Sequence, residues 1–213
     1  MSMEDYIAAR KEGIKQLHAL ESRGQDPYLP VLAELVPKLN QMAQVPLGLV
    51  QIGLDQIEGT ATKGRTTAFA RGFLPLLEQD SEFATKWSIL YDGIVEDGLR
   101  QPIVALEYYN RFYIVEGNKR VSVMRRLDAV NIEANVTRVL PEAEDSERYR
   151  VYQEFLSFYA DTKLNFIVFS REGSYERLYK LIGKTPGEKW TPEDLFDFQS
   201  CFYRFQQAYA ARL

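Results

Sequence analysis

The apolar run Phe112–Val115 stops abruptly at Glu116-Gly117, and from Asn118 onward the apolar residues recur at helical spacing, as Val121, Met124 and Leu127. One element cannot carry both patterns, because strand side chains repeat every two residues and helix side chains every 3.6. The chain must therefore pass from strand to helix at this glycine. The neighbouring segments extend the pattern. Residues 102–107 and 112–115 are apolar runs flanking the turn Tyr108-Tyr109-Asn110-Arg111, the signature of a β-hairpin. After the helix, Ile132, Ala134 and Val136 alternate with Glu133, Asn135 and Thr137, which predicts a strand over 132–140. Before the hairpin, Phe83, Trp87, Leu90 and Ile94 fall at helical spacing behind Ser81, a suitable N-cap.

The remaining segments are read in the same way. Residues 3–23 form an amphipathic helix ending at Gly24, and a short or broken helix starts near Pro30. Residues 47–54 are strand-like. A polar loop with Gly59 and Gly64 follows and runs into a helix around 67–78. Towards the C-terminus, residues 147–160 are helical, "LNFIVF" (164–169) is a short strand, and "SYERLYKLIG" is a helix. A last helix opens with Thr191 as N-cap, Pro192 at its first position, and then Glu193 and Asp194. The fold class expected is α+β, a small mixed sheet flanked by N- and C-terminal helices. Its parts are an N-terminal helical extension (1–45), a core (46–140) and a mostly helical C-terminal extension (141–213).

The helix at Asn118 opens with Lys119 and Arg120, although the positive end of the helix dipole disfavours cations there. Over 111–126 the chain places Arg111, Lys119, Arg120, Arg125 and Arg126 against Glu116 alone, within a protein of net charge −4. A helix N-terminus also carries unpaired N–H groups, so glycine, free amides and cations together make a site for a phosphate or carboxylate. Gly117 removes a side chain where a ligand would approach the backbone. The alternative is that the two cations are simply solvated.

The stretch from Gly98 to Val136 resembles the ParB/sulfiredoxin-like superfamily. That family's core has a helix, a Gly-x-x-Gln-Pro-Ile stretch leading a strand, a hairpin, a Gly-x-x-Arg turn, a helix and a closing strand. The matching residues are Gly98, Gln101, Pro102 and Ile103, then Gly117 and Arg120. The resemblance covers about 46–140 and lacks the helix-turn-helix of partition proteins. It implies that Gly117, Asn118, Lys119 and Arg120 hold the phosphates of a nucleotide, accompanied by Mg2+, with Gln101 alongside. It also implies Arg65, in the loop after the first strand, as a further phosphate contact. By the same resemblance Glu116 occupies the place of the acidic residue of free-serine kinases, a candidate general base for an NTPase or phosphotransferase. The alternative is that Glu116 pairs with a nearby cation and sets the turn. Sulfiredoxins carry a cysteine where Asn118 stands, and Cys201, the single cysteine, is more than eighty residues away. Sulfinic-acid repair is therefore not expected.

A single cysteine and a single histidine, His18, leave little for a metal site or a catalytic triad, and none is expected. DNA binding of the ParB type is disfavoured, because about eight residues separate the last two helices and the second begins with Glu193, Asp194 and Asp197. A non-enzymatic interaction module is the other alternative. The aromatic stripe Leu195, Phe198, Phe202, Phe205 and Tyr209 is read as the inward face of the last helix; the alternative is that this aromatic surface serves a homodimer or docks a fused or separate partner. No stretch approaches the ~20 apolar residues of a membrane span, and the N-terminus lacks a signal-peptide layout. The expected location is the cytoplasm.

Overall fold

The computed structural model describes residues 2–64 and 66–210. Contacts divide the chain into two compact units, one up to Glu142 and one from Ala143 onward.

The first unit is a five-stranded mixed sheet with helices. In chain order it contains α1 (Ser2–Glu21), α2 (Leu32–Leu35), β1 (Gln44–Gly53), β2 (Ile57–Thr60), α3 (Glu82–Asp97), β3 (Ile103–Tyr108), β4 (Arg111–Glu116), α4 (Asn118–Arg126) and β5 (Asn131–Val139). The strand order is β1-β5-β3-β4-β2. β3 pairs antiparallel with β4 and parallel with β5, while β1 runs antiparallel to β5 and β2 parallel to β4. Ile103 and Ala105 of β3, Ile114 of β4, and Ile132, Ala134 and Val136 of β5 share one core with Tyr6 of α1, Trp87 of α3 and Val121 of α4. Trp87 donates from Nε1 to the Ser122 hydroxyl at 2.9 Å, which ties α3 to α4 without leaving the buried indole unpaired. Tyr113 and Val139 join Leu32 and Leu39 in a second cluster.

The hairpin turns at Tyr109 and Asn110, whose φ values of 51° and 62° are those of a type I′ turn. Ser81 caps α3 as expected, accepting from the Ala84 amide. Two expectations fail in this unit. The helix around 67–78 is a single 3-10 turn at Thr66–Ala68, followed by bridges pairing Phe69 with Pro75 and Tyr28 with Ala70. Phe73 lies at a φ of 63°, and Pro75 offers no amide, so a helix cannot run through. The supposed loop after β1 contains β2, which the sequence hid because four residues, with Ile57 the only large apolar one, give too short a signal. The inward face of the sheet also carries charge. Glu107 and Arg138, register partners on β3 and β5, form an ion pair with side chains 1% and 6% exposed. Glu107 also accepts from the Asn110 amide at 2.7 Å, so the pair is fastened to the hairpin turn.

The second unit holds α5 (Glu147–Thr162), α6 (Ser174–Ile182) and α7 (Pro192–Ala210). Phe158 of α5 packs its ring against Tyr175, Tyr179 and Trp190. "LNFIVF" forms no strand. Its backbone is taken up locally, with the Leu164 amide donating to the Thr162 hydroxyl and the Tyr175 hydroxyl donating to the Ile167 carbonyl. α7 starts as expected: the Asp194 amide donates to the Thr191 hydroxyl and the Thr191 amide to the Asp194 carboxylate. The Lys184 ammonium, with the Thr191 amide and hydroxyl, holds the Asp194 carboxyl down at about 2. That contribution is present above the ordinary value of 3.8 and is lost as pH falls through about 2. The inward stripe of α7 holds only in its first half. Leu195, Phe198 and Phe202 are partly buried, but Phe205 and Tyr209 are exposed. Among the described residues, no helix is long and apolar enough to cross a membrane.

Removing one member of a buried ion pair strands the other charge. Arg138→Ala is expected to lower unfolding stability by about 3–5 kcal/mol in chemical denaturation. A loss below about 1 kcal/mol would show that the pair is not a buried constraint.

Candidate functional site

β4 hands over to α4 at Gly117, which has a φ of 113°. A Cβ at this position would lie 2.6 Å from Cγ2 of Ile103, the first residue of β3. Glycine is therefore required twice, by backbone conformation and by close packing on the neighbouring strand. The space that the sequence reading left for a ligand beside Gly117 is filled by Ile103. The glycine does not by itself open a path to the backbone.

Arg120 lies one turn into α4 with its side chain 17% exposed. Its guanidinium donates to the Pro102 carbonyl at 2.9 Å, to Gln101 Oε1 at 3.4 Å and to Glu116 Oε1 at 3.2 Å. Gln101, Glu116, Gly117 and Arg120, distant by up to 19 positions in sequence, are thus brought together. The arginine pins the Gln-Pro segment that leads β3 to the start of α4. The Glu116 carboxylate is 70% exposed, so this ion pair stands in water and is weak. Gly117, the N-cap residue of α4, makes no side-chain cap hydrogen bond. Asn118 turns its Oδ1 inward, buried and with no donor among the described residues. A carboxamide can present either an acceptor or a donor from such a place.

The other cations of the cluster disperse, because a helix spreads successive residues around its axis. Lys119 sits with Nζ 4.6 Å from the ring centroid of Phe83. Arg125 donates to three loop carbonyls, Gly72 at 3.0 Å and both Leu54 and Ile57 at 2.8 Å, and lies over the Phe73 ring. Its burial lowers its pKa from the ordinary value, and Asp55 and Glu58 partly restore it. Arg126 pairs with Asp5 and Glu12 of α1, and Arg111 donates to the Asp55 carbonyl. The local excess of positive charge is therefore mostly structural cross-linking, with Arg120 alone gathered with Gln101 and Glu116. Arg65 lies outside the described residues. Among the described residues, no group of three or more His, Cys, Asp or Glu is arranged to hold a metal ion.

No protein-family model matches the chain, and no curated protein matches it. Among solved structures, a sulfiredoxin from Arabidopsis thaliana is similar at 20% identity, over 41% of this chain and 82% of that chain, with a TM-score of 0.30. A likeness that loose carries no argument about ligand or activity. What stands on this chain's own geometry is a mixed α+β unit with a glycine-fastened strand-to-helix turn and one arginine pinned beside it.

Gly117→Ala tests the fastening. It adds a Cβ against Ile103 and forces a positive φ on a residue that resists it, so a loss of about 2–4 kcal/mol is expected in chemical denaturation. A neutral effect would mean that β3 and the turn can separate freely.

Proposed function

We propose that the unit up to Glu142 binds a phosphate-bearing ligand, with a nucleotide as the leading class, at the opening of α4. One observation carries this reading. The Arg120 guanidinium stands at an uncapped helix N-terminus, oriented by Pro102 and Gln101, and its ionic partner is the exposed Glu116 carboxylate. An incoming phosphate competes with a surface ion pair worth about 1 kcal/mol or less. In return it gains charge-assisted hydrogen bonds of about 1.5–3 kcal/mol each. The start of α4, at Asn118, brings the positive end of the helix to the same place. Lys119 would join only by leaving Phe83, and Arg65 is proposed as an additional contact.

A magnesium ion accompanying a nucleotide would rest chiefly on the ligand's own phosphates, since Glu116 is the only carboxylate between Gln101 and Arg120 besides Glu107, which is committed to Arg138. Catalysis belongs to the same proposal. Glu116 ends β4 beside the turn, and its exposed carboxylate can take the proton of a hydroxyl that attacks a terminal phosphoryl group.

A second reading is favoured by the three internal hydrogen bonds of Arg120: the arginine is a structural pin, and the unit is an interaction module without ligand chemistry. Titration of the intact chain with ADP, ATP, CTP and GTP, with and without Mg2+, separates the two. Saturable binding is expected, and Arg120→Ala should weaken it by about 1.5–3 kcal/mol. The absence of binding by any of the four would leave the structural pin. Glu116→Gln divides binding from catalysis. It should abolish turnover while leaving nucleotide affinity within about 1 kcal/mol of the parent. Unchanged turnover would remove Glu116 as the base.

A further inference from the structure

α7 carries more apolar surface than its own unit covers. Phe198 and Phe202 pack against Trp190 and Phe166, with ring centroids 5.2 and 5.5 Å apart. Phe205, 63% exposed, stacks on Tyr209, and Leu181 of α6 is 83% exposed. Between α6, α7 and the 166–169 segment runs an open apolar groove of about 570 Å³, with Leu181, Cys201 and Phe205 on its walls. Phe166, Val168, Leu181, Phe205 and Tyr209 together leave roughly 500 Å² of side chain open, at the upper end of what a monomer exposes and most of the ~800 Å² a stable partner covers.

Charge on α7 is divided by position. Glu193, Asp194 and Asp197 lie in its first two turns, and Arg204 lies in its second half. Lys184 neutralises Asp194. Asp197 and Arg204 have no ion-pair partner among the described residues. They sit on one side of the helix seven positions apart, about 10 Å along the axis, too far to pair with each other. Cys201 lies between them on the same side. This arrangement is complementary to its own reverse, because an antiparallel α7 presents Arg204 where Asp197 needs a cation, and the converse.

We propose that the protein self-associates through α7. The α7 helices of two copies lie antiparallel across the groove, about a twofold axis near Ser200 and Cys201. Asp197 of each copy meets Arg204 of the other, and Phe205 and Leu181 become buried. The contact is isologous, so it closes as a dimer and leaves no surface for further growth.

Sedimentation equilibrium of the intact chain should give a dimer across the micromolar range, and mild oxidation should join the two copies through Cys201, the only thiol. Asp197→Arg and Arg204→Glu should each weaken dimerisation by about tenfold, since each creates two like-charge contacts. The double reversal should restore it. Both side chains are exposed, and unchanged far-UV circular dichroism of the variants confirms that folding is intact. A monomeric parent chain overturns the proposal. So does a dimer that does not cross-link at Cys201, one indifferent to the single reversals, or one not rescued by the double reversal.

Discussion

The approach of Gly117 to Ile103 is the constraint on which the rest of the first unit depends. It sets where β4 ends and α4 begins, and it presses that turn onto the start of β3. With the Gly117 backbone packed against the Ile103 side chain, Arg120, three residues further on, reaches back to the carbonyl of Pro102. The strand start, the turn and the helix start then form a single rigid corner. A side chain at Gly117 would wedge the corner open and move Arg120 away from Gln101 and Glu116.

The cations show how tertiary context reassigns charge. In a linear reading, Arg111, Lys119, Arg120, Arg125 and Arg126 look like a basic patch. In the fold, Arg125 is a tie among three loop carbonyls, Arg126 joins α4 to α1, and Lys119 lies over an aromatic ring. Each is consumed by hydrogen bonding or packing that replaces what it loses from water. Arg120 differs in that its ionic partner is exposed. The same side chain therefore serves the architecture of the corner and remains open to exchange of that partner for a ligand.

Buried charge is also present away from the candidate site. Glu107 and Arg138 occupy neighbouring positions in the sheet register, where Ile and Ala stand on the preceding inward positions. Such a pair adds little net stability but penalises a slipped register, because a one-residue shift turns one partner to the other face of the sheet and leaves the remaining charge buried without it. That penalty is specific to the β3–β5 pairing, one of the two parallel pairings in the sheet.

Sequence periodicity by itself determined the α3–hairpin–α4–β5 succession, the Ser81 and Thr191 caps and the turn at Tyr109-Asn110. These depend on contacts within a few residues, which local chemistry specifies. It also marked Gly117 and Arg120 as the unusual positions. It could not show why Gly117 is glycine, because Ile103 lies fourteen residues earlier. Nor could it show β2, the loss of the 67–78 helix, or the dispersal of the cations. β2 exists only because β4 offers it an edge. The 67–78 segment is held instead by Arg125, through the Gly72 carbonyl. Only the tertiary structure decided these, since a hydrogen bond to a distant backbone leaves no periodic trace in the chain that makes it.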